Sequence, residues 1–145
     1  MPSDLTLKAM NAAHRVMLAV SFGKLGWTAG TMPVLELTTI GRKSGRQHTV
    51  LLTSPIQQGP TLVVVASRGG DDQAPAWYLN LVADPEVEVA LQGGTPVPMR
   101  ARVADADERG RLWPQVTARY RNYAEYQRRT ERQIPLVMLE PVQQP

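Results

Sequence analysis

Apolar residues in this chain occur mainly in short runs, separated by clusters of glycine, proline and polar residues. Short runs that are rich in β-branched residues are typical of strands. Six strands are predicted in this way: Val34–Thr39, Thr49–Thr53, Leu62–Ala66, Glu86–Leu91, Val97–Val103 and Ile134–Glu140. The pattern therefore predicts a mainly β protein with flanking helices, in the α+β class.

Three of these predicted strands differ in the arrangement of their apolar residues. Leu62–Ala66 is apolar without a break, which predicts a buried central strand. In Glu86–Leu91, the glutamates and an alanine alternate with larger apolar residues, which predicts one exposed face and one buried face. Val97–Val103 also alternates, but Pro98 cannot donate a backbone hydrogen bond and predicts a place at the edge of the sheet.

The N-terminal segment, Leu5–Leu25, has apolar residues near helical spacing and predicts an amphipathic helix. Glycines follow it, so residues 1–33 are predicted to be a helix and a linker, and residues 34–145 a barrel, within a single domain. Its longest uncharged stretch is far shorter than the roughly 20 apolar residues that cross a bilayer. Two alternatives stay open, packing on its own domain and peripheral contact with a membrane surface.

Three further segments predict helices. Pro75 suits the first turn of a short helix that ends before Asp84-Pro85. Asp105 and Glu108 have the spacing of a capping box, which opens another helix. Tyr120–Thr130 follows as a short helix, in which Glu125 and Arg129 are spaced for an ion pair. Because the connections between strands are short, we expect the six mostly antiparallel strands to form a closed or nearly closed barrel.

Two glycine loops that carry basic residues follow predicted strands. The first is Gly41-Arg42-Lys43-Ser44-Gly45, and the second is Ser67-Arg68-Gly69-Gly70. Backbone N–H groups in such loops can form a concavity that binds an anion. A solvated hairpin turn is the alternative for the first loop, because glycine and serine are common in turns.

The charge and composition of the chain indicate which classes of ligand it could bind. The net charge of +3 and the pI of about 9.6 suit an anionic small-molecule ligand, and 13 of the 16 cations are arginines. The chain has no long run of cations and no basic strand with interleaved aromatic residues, so nucleic acid is not an expected partner. The absence of cysteine excludes thiol chemistry, fits a cytoplasmic protein and leaves redox work to a bound cofactor.

Motifs for other chemistries are absent from the sequence. Its two histidines, His14 and His48, are too few and too far apart to predict a metal site. There is no G-x-S-x-G motif of a hydrolase, and the first basic loop lacks the spacing of a nucleotide triphosphatase. We therefore expect no metal and no hydrolase activity.

Four motifs together resemble the deazaflavin (coenzyme F420)-dependent nitroreductase family of actinobacteria. They are Thr38-Thr39 with the first basic loop, the second basic loop, the aromatic run Pro75–Leu81, and Tyr120–Arg129 before Ile134-Pro135. The resemblance implies a split β-barrel shared with flavin-binding oxidoreductases. It also implies hydride transfer from the reduced deazaflavin to an electron-poor acceptor, such as a quinone, a nitro-compound or an activated enone or lactone.

The resemblance also implies roles for individual residues. Those expected to bind the cofactor are Arg42, Lys43, Ser44, His48, Ser67, Arg68, Gly69, Trp77, Tyr78 and Asn80. Those expected to line the substrate pocket are Tyr120, Tyr123, Tyr126 and Thr53. Tyr126, Tyr123 and Ser67 are expected to be catalytic, and Tyr120 to pack where two helices meet. Ordinary core packing is the alternative for Trp77, Tyr78 and the three tyrosines.

The chain departs from the family pattern after the first loop. Gln47, His48, Leu51 and Thr53 stand where the family commonly has a proline, an arginine, a proline and an aromatic residue. The loss of the arginine weakens the anion site, and His48 keeps part of the contact as a hydrogen-bond donor. Thr53 reshapes the substrate side, so nitroreduction is not assumed.

Two other functions stay open from the sequence alone. The same barrel could be a non-catalytic module that binds a deazaflavin, a flavin or a lipophilic molecule, or it could be an FMN enzyme. A monomer and a homodimer are both compatible with the sequence. The expected location is the cytoplasm, with the N-terminal helix as the candidate contact to the inner face of the membrane.

Overall fold

The structure is a computed structural model that describes residues 28–29, 32–91 and 93–142. Its strands are β1 (Thr28–Ala29), β2 (Met32–Ile40), β3 (Gln47–Thr53), β4 (Ile56–Gln58), β5 (Thr61–Val65), β6 (Glu86–Leu91), β7 (Val97–Val103) and β8 (Leu136–Pro141). Its helices are α1 (Ala76–Ala83), α2 (Ala106–Arg119) and α3 (Arg121–Arg128), with a 3-10 turn at Arg68–Gly70. The helix predicted at Leu5–Leu25 lies outside the described residues.

The strands β2 to β8 form one antiparallel sheet in the order β3-β2-β6-β7-β8-β5-β4, and β1 pairs with the first residues of β2. This confirms the mainly β architecture with flanking helices. The predicted number of six strands is wrong, because the described residues form eight strands. The two strands that were not predicted are β1, with 2 residues, and β4, with 3 residues. Strands this short contain no hydrophobic run from which they could be predicted.

We expected a closed or nearly closed barrel, and the sheet is curled but not fully closed. Among the described residues, no ladder joins the end strands β3 and β4. The chain passes between them through Ser54 and Pro55, which are both buried. The hydroxyl of Ser54 is shared between the carbonyl oxygens of Val63, at 2.7 Å, and Ile56, at 2.9 Å. This bend sends the chain towards β5, so that within the described part of the chain β3 pairs with β2 alone.

The sheet is covered on both faces at its centre. In β5, Leu62 and Val64 belong to a first core cluster with α1, whereas Val63 and Val65 belong to a second cluster under α2 and α3. Both sets of side chains are buried. The unbroken apolar run is explained by this double burial, since a strand covered on both faces needs no polar side. The prediction of a buried central strand is confirmed.

The prediction that β7 lies at an edge is wrong, because β7 pairs with β6 on one side and with β8 on the other. Pro98 lies opposite Glu88 of β6, but the ladder to β8 begins only at Met99. The proline therefore lies beyond the end of the β7–β8 ladder. The N–H that proline lacks is therefore not needed for a hydrogen bond to β8.

The predicted capping box at the start of α2 is confirmed. Asp105 accepts a hydrogen bond from the backbone of Glu108, at 2.8 Å, and the carboxylate of Glu108 accepts one from the backbone of Asp105, at 3.1 Å. Arg102 on β7 bonds to both Glu108 and Glu140. Hydrogen bonds from Arg102 lower the pKa of Glu108 to about 2. These bonds join the start of α2 to β7 and β8.

We expect Glu108→Gln to lower the free energy of unfolding at pH 7 by about 1 kcal/mol, because it removes a partly exposed ion pair. Since the pKa of Glu108 is lowered in the folded protein, its carboxylate stabilises the fold above the ordinary glutamate pKa. This stabilisation is lost as the pH falls towards 2. The melting temperatures of wild type and variant should therefore converge between pH 5 and pH 2. Glu125→Gln, in an exposed pair with Arg128, is the matched control.

Candidate cofactor and substrate site

The first basic loop, Gly41–Gly45, is a closed turn between β2 and β3. The Gly41 N–H donates to the carbonyl oxygen of Arg46 at 2.7 Å, and the Gly45 N–H donates to that of Gly41 at 2.8 Å. Gly45 has a φ of 70°, which glycine adopts without strain. The predicted strand, basic loop and strand are confirmed, and two backbone hydrogen bonds close the loop.

Ser44 and His48 lie together over Gly41. The Ser44 hydroxyl is 3.2 Å from Nε2 of His48 and accepts a hydrogen bond from the Arg46 N–H, also at 3.2 Å. A β-carbon at Gly41 would lie 2.6 Å from the Ser44 oxygen and 2.7 Å from the His48 nitrogen. A side chain at position 41 would therefore displace Ser44 and His48, and glycine there lets these two predicted cofactor residues lie side by side.

Asn80 on α1 anchors this loop. Its side-chain oxygen accepts hydrogen bonds from the Arg42 backbone N–H, at 3.2 Å, and from the Arg42 guanidinium, at 3.0 Å. Its amide nitrogen donates to the hydroxyl of Thr39 at 3.2 Å. Asn80 is 5% exposed, so its bond to Thr39 is buried, whereas the two bonds from the exposed Arg42 are partly buried. Sequence reasoning assigns Asn80 to the pocket wall, and the structure places its amide behind the loop.

The second basic loop contains three consecutive residues with left-handed backbone. The φ angles are 47° for Arg68, 65° for Gly69 and 85° for Gly70. The Arg68 guanidinium donates to Gln73 at 3.2 Å and forms an ion pair with Asp71 at 3.4 Å. A left-handed conformation is strained for a residue with a β-carbon. Such strain is commonly found at functional sites.

Residues near the end of α3 contact this second loop, which the sequence did not reveal. A β-carbon at Gly70 would lie 2.7 Å from the carbonyl oxygen of Tyr126. Arg129 donates to the carbonyl oxygen of Gly69 at 3.3 Å. The expected Glu125–Arg129 ion pair is wrong, because Glu125 pairs with Arg128 at 2.7 Å. No spacing signal in the sequence could have found contacts between residues so distant along the chain.

Helix α1 follows both basic loops in the chain and packs on the first core cluster beside the first of them. Trp77 is buried in the first core cluster, and Tyr78 is half-buried against it. Asn80 holds the first loop. The helix predicted to start at Pro75 is confirmed, and it ties the first basic loop to the first core cluster.

The three tyrosines pack edge to face on the second core cluster. The ring centroids are 6.4 Å apart for Tyr120 and Tyr123, and 5.9 Å apart for Tyr123 and Tyr126. The hydroxyl of Tyr123 lies 3.3 Å from that of Thr53 and 3.6 Å from the sulfur of Met32. Burial raises the pKa of Tyr123, so its hydroxyl stays protonated. Tyr120 lies between α2 and α3, where we expected it.

Other kinds of site find no support in the part of the chain that the structure describes. It contains no cluster of residues suited to a metal ion, and none of its helices is long and apolar enough to cross a membrane. A cavity of about 410 Å³ contains none of the predicted site residues. It is lined by Glu86, Arg100, Glu140, Pro141 and Val142.

The sequence matches the family model described as F420H(2)-dependent quinone reductase over residues 11–141. The chain belongs to this family. It is 39% identical over 132 residues to an F420H(2)-dependent quinone reductase of Mycobacterium tuberculosis, covering 87% of this chain and 86% of that protein. The family resemblance seen in the sequence is therefore confirmed.

Two solved structures of similar proteins agree with this family. One is described as an F420-H2 dependent reductase and has 37% identity, with a TM-score of 0.65 over 74% of this chain and 94% of the other. The second is described as a domain-swapped dimer and has 33% identity, with a TM-score of 0.67 over 89% of this chain and 96% of the other. The name of the first structure supports the F420 expectation, and neither name supports the FMN alternative.

Proposed function

We propose that this protein is an oxidoreductase that uses F420H2 to reduce a quinone. Family membership supports the reaction, and one structural observation supports the binding site. Asn80 holds Arg42 from behind, so that the first basic loop is fixed before any ligand arrives, while Lys43 stays exposed. A fixed cationic loop suits a phosphate or carboxylate, because little conformational freedom is lost on binding.

The residues of the two basic loops fit a long anionic cofactor. Lys43, Ser44 and His48 would hold the phosphate or the acidic tail of F420, with Arg42 fixed beside them. Ser67, Arg68 and Gly69 would lie on the deazaflavin side. When bound, the reduced deazaflavin supplies the hydride. The protein supplies position and charge.

The acceptor would lie beside the tyrosines. A quinone that receives a hydride must also gain a proton on oxygen, and a tyrosine hydroxyl can donate it. Tyr126 is half-buried and adjoins the second basic loop through Gly70. Tyr123 is buried and its hydroxyl lies against Thr53, so it suits the positioning of the acceptor oxygen. Tyr126 is therefore the preferred proton donor.

The proposal also covers assembly and location. The curled sheet is compatible with the split β-barrel that the resemblance implies. A homodimer is favoured over a monomer by the similar structure described as a domain-swapped dimer. The protein would act in the cytoplasm, and its N-terminal segment is the candidate for peripheral contact with a membrane in which quinones dissolve.

A titration tests the proposed function directly. Purified protein is mixed with F420 or with FMN, and binding is followed by the absorbance and fluorescence of each. Oxidation of F420H2 is then followed after addition of a soluble quinone. Binding of F420 in preference to FMN, with quinone-dependent oxidation, is expected. Tight binding of FMN alone would overturn the proposal, and F420 binding without oxidation would favour the non-catalytic module.

Lys43→Ala is expected to weaken F420 binding about 10- to 150-fold, since one charge-assisted contact contributes about 1.5 to 3 kcal/mol. Because Lys43 is exposed, wild-type affinity should also fall as the salt concentration rises. Fluorescence titration at two salt concentrations measures both effects. Arg121→Ala removes an exposed cation from α3 and is the control. Equal affinity of Lys43→Ala and wild type would make the first loop a simple solvated turn.

Tyr126→Phe is expected to lower kcat/KM for the quinone about 100-fold, which is at the lower end of the effect of a lost general acid. Its F420 affinity and melting temperature should stay close to wild type. Tyr123→Phe should lower the free energy of unfolding by about 0.5 to 1.5 kcal/mol, because it loses the hydrogen bond to Thr53. Steady-state kinetics and thermal melts separate the two effects.

Tyr120→Phe is the control for this pair, since Tyr120 lies at the junction of the two helices. If all three phenylalanine variants reduce the quinone at the wild-type rate, the hydroxyls have no catalytic role. If each variant only melts earlier, the three tyrosines belong to the core and the acceptor binds elsewhere.

A further inference from the structure

The second basic loop is tied to the protein by two arginines from the segment after α3, which we call the arginine clasp, Arg129 and Arg132. Arg132 donates to the carbonyl oxygens of Asp71 and Ser67, both at 2.9 Å, and to that of Ala66 at 3.3 Å. Arg129 donates to the carbonyl oxygen of Gly69 at 3.3 Å. Four of the six carbonyl groups from residue 66 to residue 71 therefore accept a hydrogen bond from the clasp.

The clasp contacts the part of the loop that is strained. Arg68 has a φ of 47°, and two left-handed glycines follow it. A residue with a β-carbon keeps this conformation only when the surrounding structure enforces it. Arg132 bonds to residues on both sides of Arg68, so it restrains the loop at both ends.

Arg132 differs from the surface arginines of the same segment. It is partly buried, and burial lowers its pKa while Asp71 favours its charged form. All of the hydrogen bonds that its guanidinium makes among the described residues go to backbone carbonyl groups of the loop region. Arg128, four residues earlier, is exposed and donates to Glu125. A planar guanidinium can donate in several fixed directions at once, which suits it to hold a curved backbone.

From these contacts we infer that Arg132 is a positioning residue for cofactor binding, and that Arg129 assists it. It holds the strained second loop in the shape that receives the deazaflavin side of F420. This inference rests on the proposed function, because it assigns the second loop to that cofactor. Arg132 acts through Ser67, Arg68 and Gly69. A loop that is already in its binding shape loses less conformational freedom when the ligand binds.

Four single variants test the inference. Arg132→Gln removes the charge and most of the donors, and Arg132→Lys keeps the charge without the planar group. Arg129→Gln removes one hydrogen bond to the loop from an exposed residue, together with the stacking of its guanidinium over the Tyr126 ring. Arg128→Gln is the matched control. For each variant, fluorescence titration gives the F420 affinity, steady-state kinetics give KM for F420H2 and for the quinone, and a thermal melt gives Tm.

Arg132→Gln is expected to weaken F420 binding about 10- to 100-fold and to raise KM for F420H2 to the same degree, since several hydrogen bonds to the loop are lost. The quinone KM should change less than about twofold. Arg132→Lys should restore part of the affinity. Arg129→Gln should weaken binding about two- to fivefold, and Arg128→Gln should match wild type.

The inference is overturned if Arg132→Gln melts earlier yet binds F420 like wild type, or if the quinone KM rises as much as that for F420H2. If Arg132→Gln does not fold, Arg132→Lys and Arg129→Gln decide, and wild-type affinity in both overturns it. Failure of the proposed function gives a different result. In that case wild type itself neither binds F420 nor oxidises F420H2, and the inference fails with it.

Discussion

Gly70→Ala is expected to lower the free energy of unfolding by about 2 to 5 kcal/mol, the sum of left-handed strain and overpacking. The φ of Gly70 is 85°, and an added β-carbon would lie 2.7 Å from the carbonyl oxygen and 2.9 Å from the α-carbon of Tyr126. Both contacts are with backbone, so α3 must move away as a unit. F420 binding should weaken together with stability. Chemical denaturation and fluorescence titration measure the two effects.

Two other glycines separate the causes of this effect. Gly59 has a φ of 59° but no atom within 4 Å of an added β-carbon, so Gly59→Ala reports the strain alone, about 1 to 2 kcal/mol. Gly110 lies within α2 with open space around it, so Gly110→Ala should stabilise the protein by about 0.5 to 1 kcal/mol. If Gly70→Ala costs no more than Gly59→Ala, the close contact with α3 is wrong.

Asn80→Ala is expected to lower the free energy of unfolding by about 2 to 4 kcal/mol, because the buried Thr39 hydroxyl loses this donor and two partly buried hydrogen bonds from Arg42 are lost as well. It removes the acceptor for Arg42 and the donor to Thr39. The first basic loop then loses its tie to α1. We therefore expect KM for F420H2 to rise at least about tenfold, with a smaller change in kcat. Steady-state kinetics and denaturation measure both.

Asn80→Asp keeps an acceptor for Arg42 and should bind F420 better than Asn80→Ala. Asn122 is exposed on α3, and Asn122→Ala is the matched control, expected within about 0.5 kcal/mol of wild type. A normal KM for F420H2 in Asn80→Ala would show that the first basic loop keeps its shape without α1. Asn80 would then be a core residue with no part in cofactor binding.

Asn80 and Gly70 were recognised in the sequence by different signals. Asn80 lies in an aromatic run that the family resemblance marks as pocket wall, and the structure adds that its amide holds Arg42. Gly70 belongs to a loop recognised by its composition, but the reason for glycine there is the backbone of Tyr126. The sequence therefore located both segments, one by family resemblance and the other by composition. The physical role of each residue depended on a neighbour from another part of the chain.

Local patterns in the sequence determined the main elements of this protein. The runs of β-branched residues predict the long strands, because side-chain alternation and burial act within one strand. The capping box and the helix after Pro75 follow from hydrogen bonds between residues three or four positions apart. The two basic loops are recognisable from sequence because glycine adopts positive φ without strain and arginine is charged, whatever residues surround them.

Tertiary structure alone decided how these elements form a site. Arg42 meets Asn80, which is 38 residues away, and Arg132 meets Ser67, which is 65 residues away. Glu125 pairs with Arg128, and Arg129 turns to the second loop instead. Such partners are chosen by the packing of α1 and α3 on a curled sheet, and that packing is a property of the whole chain. Sequence spacing describes neighbours within one element and carries no information about contacts between two of them.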